Sequence, residues 1–275
     1  MMTYTMARGL KSGEPFDVKG LCEFTREMDM DAIDWVTTYG HDPAEVRRVT
    51  DAFGLKNICY TFFCDLNSPT PPERAAGREV FQKGIETAVV LGADKIMLPV
   101  PGKQGLTREQ SFRNVVAGLK EVMDFARRAR VTVTIEHFPA ANSPFIVSAD
   151  VGRAVTEVPG LKVTFDNGNV TTGGESPRDA VRNNARDIVH AHFKDFAVCK
   201  EGDPGAMRCL DGKFRRAVLV GDGDVDQLGG LEALHECGYK GYINFEYEGR
   251  DYTPRDATAV GVARLREMMA SLGSR

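Results

Sequence analysis

The chain is poor in the features that usually announce a partner or a compartment. Of its 275 residues only five are histidine and one is tryptophan. Basic residues do not dominate: 35 Lys and Arg against 39 Asp and Glu give a formal net charge of -4. A nucleic-acid partner usually needs a basic face, so none is expected. No stretch of 18 or more apolar residues occurs, so neither a transmembrane helix nor a membrane partner is expected. The opening MMTYTMARGLKSG lacks a basic head followed by an apolar run, and it predicts no secretory signal. The six cysteines, at 22, 59, 64, 199, 209 and 237, form no CxxC pair. They read as reduced thiols of a cytoplasmic protein rather than as a disulfide or zinc framework. No Gly-rich phosphate turn follows an early strand, which counts against a doubly wound nucleotide-binding sheet. Low-complexity linkers are absent too, so residues 1–275 are expected to form a single domain.

What is present is alternation. Short runs rich in Val, Ile, Thr, Phe and Tyr predict strands at 3–9, 32–39, 56–63, 94–100, 131–138, 161–168, 188–195 and 242–248. Longer amphipathic runs lie between them. One follows Thr70, has prolines in its first turn and stops at Gly92. Another has Thr107 as N-cap and Gln110 completing a capping box, with Phe112, Val115, Val116, Leu119 and Val122 at helical spacing. A last one spans about 254–271. Strands alternating with helices over this length predict an α/β fold, a TIM (β/α)8 barrel. Residues 196–220 are too long for an ordinary connection and read as a small hairpin near the active face.

Alternation along the later strands aims chemistry at one place. In VTVTIEHF, Thr134 and Glu136 share the inward face; in LKVTFDNG, Thr164 and Asp166 do. In IVHAHFKD the inward pair is His190 and His192, and in YINFEYE it is Asn244 and Glu246. Four successive strands thus each bring a carboxylate or an imidazole to one barrel end, where barrel active sites lie. Clustered carboxylates repel and resist desolvation, and a divalent cation relieves both. Glu136, Asp166, His192 and Glu246 suit Mn²⁺, Mg²⁺, Co²⁺ or Zn²⁺. His190, one layer deeper, reads as packed support for His192. Lys194 at the rim either touches a substrate oxygen or pairs with a ligand carboxylate or with Asp222. His137 lies on the helix side by alternation unless the strand end twists it into the mouth. Tyr60, Phe62, Phe63 and Trp35 suit either a ligand-binding wall or the core. Asp226 in GDGDVD reads as a helix cap.

The motifs TIEHF, TFDNGN, HAHFKD, GDGDVD and INFEYE, in this order, resemble the xylose isomerase-like TIM-barrel superfamily of sugar isomerases and epimerases, which is related to AP endonuclease family 2. The resemblance covers essentially the whole chain. It implies one divalent metal, Mn²⁺ first among the candidates, held by Glu136, Asp166, His192 and Glu246. It also implies that Glu136 and Glu246 act as acid and base next to a substrate carbonyl, through a cis-enediolate. Lys194, His137, Asn169 and Tyr60 are the candidate substrate contacts, and a small sugar or polyol-derived compound the expected partner. A homodimer or homotetramer follows by the same resemblance. Two positions depart from the epimerase pattern. Asn169 stands where the epimerases carry His, and Lys194 follows His192 where they carry Arg. A lyase or dehydratase on a keto-sugar, inosose or dehydroshikimate-like substrate therefore remains the alternative.

Overall fold

The computed structural model describes residues 1–272. Its first half runs α1 (Thr3–Ala7), α2 (Val18–Glu27), β1 (Ala32–Val36), α3 (Pro43–Ala52), β2 (Lys56–Thr61), α4 (Ala75–Leu91), β3 (Lys95–Leu98), α5 (Arg108–Ala129) and β4 (Thr132–Glu136). Then come α6 (Ser148–Glu157), β5 (Lys162–Asp166), α7 (Asn167–Thr172), α8 (Pro177–Asn184), β6 (Ile188–Phe193), β7 (Asp195–Cys199), β8 (Met207–Arg208) and β9 (Phe214–Val218). The chain ends with α9 (Gln227–Glu236), β10 (Ile243–Phe245) and α10 (Pro254–Leu272). The sheet order β1-β2-β3-β4-β5-β6-β10, parallel throughout, makes a nearly closed barrel with helices outside.

The expected strand at 3–9 is not there. Its place between β10 and β1 is taken by one parallel bridge, Met2 to Asp34, followed by the helical turn α1. Thr3 and Thr5 are buried, and their hydroxyls do the work of ladder carbonyls. Thr3 Oγ1 accepts from Val36 N at 2.8 Å, and Thr5 Oγ1 accepts from Tyr247 N at 2.9 Å. The TYTMA alternation satisfies a strand and a short helix alike, and these two tertiary bonds decide for the helix.

Elsewhere local signals act as their chemistry dictates. Thr107 and Gln110 cap α5 reciprocally. Gly92 ends α4 at φ +78°, a left-handed conformation that glycine adopts without steric cost. The outward residues Val133, Ile135, Val163, Phe165 and Phe193 are completely or almost completely buried under the helices, with Phe165 and Phe193 edge to face at 6.1 Å. Inside, Thr134 and Thr164 hydroxyls bond at 2.7 Å and form a polar layer beneath the strand ends.

The long excursion folds as a three-stranded antiparallel sheet, order β7-β9-β8. Only Lys194 separates β6 from β7. Asp195 anchors the join: its carboxylate accepts from the N–H groups of Phe196, Gly221, Gly223 and Val225. GDGDVD therefore wraps around Asp195, and Asp226 caps α9 through Gly229 N at 2.8 Å. No described helix is long and apolar enough to cross a membrane.

Candidate active site and metal centre

Glu136 and Asp166 are the last residues of β4 and β5, His192 lies near the end of β6, and Glu246 follows β10. Asp166 is in register with His192, which is in register with Asn244. One donor atom from each of Glu136, Asp166, His192 and Glu246 lies within 4.8 Å of the others, and all four residues are buried. His192 Nδ1 is 2.7 Å from Glu136 Oε1 and 3.7 Å from Glu246 Oε2. Asp166 divides its two oxygens. Oδ1 caps α7 by accepting from Asn169 N at 2.7 Å, while buried Oδ2 has no hydrogen-bond partner.

The electrostatics are those of carboxylates held in too little water. Burial pushes the Asp166 carboxyl up to about 7; Lys194 opposes the rise and Glu136 adds to it. Burial likewise raises Glu246 well above the ordinary range. Burial disfavours a charge on His192, yet its contacts with Asp34 and Glu136 hold its pKa well above the usual value. The ammonium of Lys194 enters this group, 3.2 Å from Asp166 Oδ2, 3.1 Å from Glu246 Oε2 and 2.8 Å from Glu248 Oε1. Even so, the carboxylates of Glu136, Asp166, Glu246 and Glu248 outnumber the cationic groups they meet, Lys194 and His192. Three carboxylates and one imidazole, with an Asp166 Oδ2 that accepts no hydrogen bond and has only the ion pair with Lys194, are a set that fits a divalent cation.

Beneath His192 lies a residue that sequence reading passes over. Asp34, in the middle of β1, is fully buried, and its Oδ2 meets His190 Nε2 at 2.6 Å and His192 Nε2 at 2.9 Å. Burial alone would raise its pKa, but the two imidazoles hold it well below the carboxylate range. The carboxylate thus engages the far nitrogen of His192 and turns Nδ1 toward Glu136, Glu246 and the cluster. A register shift between Ile33 and Asp34 marks a bulge at this point in β1. His190 is placed one layer down, as its position two residues before His192 predicts. Glu248 is the second omission: Asn244, Glu246 and Glu248 continue one period-two series, which is the signal that finds it.

A cavity of about 210 Å³ stands over the cluster. Glu136, Asn169, Lys194, Glu246 and Glu248 supply polar lining; Phe63, Met97, Pro99 and Phe138 supply apolar walls. Asn169 donates from Nδ2 to His137 O at 2.7 Å, which leaves its buried Oδ1 without a partner. Two expected substrate contacts lie outside this lining. The His137 ring is fully buried on the helix side, edge to face with Phe165 at 6.0 Å, and burial lowers its pKa to about 4. The strand does not twist enough at its end to bring it round. Tyr60 is buried in the core and stacks on Phe62 at 5.5 Å. The aromatics lining the mouth are Tyr4, Phe63, which is 57% exposed, and Phe138; Trp35 is core, donating to Asn57 Oδ1 at 2.7 Å.

Known proteins share this fold. An inosose dehydratase of Lacticaseibacillus casei is 25% identical over 226 residues, covering 76% of this chain and 75% of that protein. The structure of an L-ribulose 3-epimerase superposes with a TM-score of 0.79 at 15% identity, over 100% of this chain and 95% of that one. The IolI protein with a bound zinc atom gives 0.80 at 16%, over 99% and 98%. A family model described as xylose isomerase-like TIM barrel matches residues 22–268. The chain belongs to the xylose isomerase-like TIM-barrel family.

Proposed function

We propose that the protein is a divalent-metal-dependent isomerase or epimerase of a sugar or sugar derivative, moving a proton at a carbon next to a carbonyl. The observation that carries this reading is the meeting of two buried glutamates, Glu136 and Glu246, at one donor cluster beneath a small cavity. Glu136, Asp166, His192 and Glu246 would hold the ion. Mn²⁺ is the first candidate for this oxygen-rich set, with Mg²⁺, Co²⁺ and Zn²⁺ also suited, and the zinc-bound IolI structure supports an ion of this class. When bound, the ion supplies Lewis acidity that polarises a substrate carbonyl and its neighbouring hydroxyl.

The remaining chemistry belongs to the side chains. Glu136 and Glu246 come from strands three apart around the barrel, so they reach a substrate carbon from different directions. One removes the proton and the other returns one. Asn169 Oδ1 is a free acceptor for a substrate hydroxyl, and Lys194 Nζ is a cationic donor for an oxygen that gains negative charge. The cavity is below the roughly 300–1,000 Å³ of drug-sized sites, which fits a small polyhydroxylated compound.

The inosose dehydratase relative and the extra protonic group Lys194 favour a second reading, dehydration. There the same base takes the proton, and the β-hydroxyl leaves as water after receiving one. Keto-sugars and inososes incubated in deuterium oxide separate the two: isomerase action gives solvent deuterium at the carbon without water loss, and dehydration gives an unsaturated product. Glu136→Gln should lower exchange by about 10²–10⁴-fold with the fold retained. Full turnover by this variant would refute the acid–base assignment.

A further inference from the structure

Lys194 is built into the site from both ends. Its N–H donates to Asn167 Oδ1 at 2.9 Å, and its carbonyl accepts from Gln227 Nε2 at 2.9 Å. The two amides are themselves joined, Asn167 Nδ2 to Gln227 Oε1 at 2.7 Å, and all three residues are buried. The aliphatic stem crosses Gly168, where a Cβ would stand 2.5 Å from Lys194 Cγ. Only at the far end does the side chain become polar, with its ammonium among three carboxylates. Two of these, Asp166 and Glu246, belong to the donor cluster. The third, Glu248, lies outside the cluster and is 25% exposed at the cavity wall.

An ammonium is a compact charge with three donors and no preferred plane, so it can serve three carboxylates at once. It also pairs with two of the carboxylates, Asp166 and Glu246, that would hold a bound ion. Like charges a few ångströms apart in a buried site interact strongly. The ammonium and the ion therefore compete for Asp166 and Glu246, while Glu248, outside that cluster, stays within reach of the ammonium.

We propose that Lys194 is a resident counter-cation of the metal centre. It holds the carboxylates together when no ion is bound, and it weakens the site's grip on the ion to a reversible level. Glu248 retains it when the ion engages Asp166 and Glu246. This rests on the metal reading above.

The test is calorimetric titration of Mn²⁺ into chelator-stripped protein at pH 8, beside melting of the metal-free form. Lys194→Met should bind Mn²⁺ more tightly, on the order of tenfold, and should melt lower without metal. Gly168→Ala keeps every charge but displaces the lysine stem, and should tighten binding by a smaller factor. Glu248→Gln should shift affinity the other way, to weaker binding. Equal or weaker Mn²⁺ binding by folded Lys194→Met overturns the proposal, because a lysine that merely orients the ligands gives that result. If Lys194→Met does not fold, the opposite signs of Gly168→Ala and Glu248→Gln decide, and shifts of the same sign overturn it. No uptake by the wild type would refute the metal reading and this proposal together; uptake with unchanged Lys194→Met affinity would refute only this one.

Discussion

Asp34 shows what a single side chain can do from below a site. Its carboxylate is shared by the Nε2 atoms of two histidines, and neither ring can turn without losing that contact. In Asp34→Asn the neutral amide oxygen is a weaker acceptor for those two N–H groups than the carboxylate, and His192 loses its firm orientation. The expected outcome is a 10–100-fold loss of divalent-ion affinity with little change in the far-ultraviolet circular dichroism, read by titrating Mn²⁺ into stripped protein. Unchanged affinity would show that packing alone orients His192. In the sequence Asp34 is one acid inside the apolar run AIDWV, and its partners lie 156 and 158 residues away. Nothing local points to them. His192 and Glu136 are legible for the opposite reason: strand alternation fixes their side, and strand ends fix their level.

At the scale of elements, alternation locates β1 to β6 and β10 within a few residues, because an inward and an outward face differ in chemistry. It fails at 3–9, where tertiary bonds from Thr3 and Thr5 choose between two conformations that the pattern allows equally. It also misses α7, a six-residue helix cued mainly by the Asp166 cap that begins it. Helix-on-strand packing depends in places on a missing side chain. Gly84 in α4 faces Phe62, and a Cβ there would come within 2.0 Å of the ring's Cζ. Phe62 is hemmed in by Tyr60 and by Phe81, whose ring is 6.3 Å away. Alanine would gain about 1 kcal/mol of helix propensity, against about 1–3 kcal/mol of overpacking. Gly84→Ala should therefore leave stability lower by roughly 1 kcal/mol in urea denaturation; a stabilised variant would mean that the ring yields freely.

For the molecule as a whole, buried titratable groups make stability depend on pH in two opposite senses. His137 has its pKa lowered to about 4 from 6.5, so between those values the unfolded chain binds more protons. Its contribution is present above pH 6.5 and is lost as pH falls toward 4, about 3 kcal/mol in all. Asp166, raised from 3.8 to about 7, contributes below the lower value and loses that contribution as pH rises through the upper one. The difference between wild type and His137→Gln isolates the histidine. The variant should lose less stability than wild type between pH 6.5 and 4, and parallel curves would exclude His137 as the source.

The join between β10 and β1 gives the barrel one joint unlike the rest. Among the described residues, β10 pairs along its backbone only with β6. On its other side the Thr5 hydroxyl holds Tyr247 N, and the Arg8 guanidinium holds Glu248 O at 2.6 Å. Two side-chain bonds can break there without unzipping a ladder, so this is the least costly place for the wall to breathe. Glu246 stands at that joint. On the function proposed above, one of the two glutamates sits on this slat, held by its own N–H to Phe193 O on one side and by the two side-chain bonds on the other, so the closing of that latch would govern how long the two glutamates stay together.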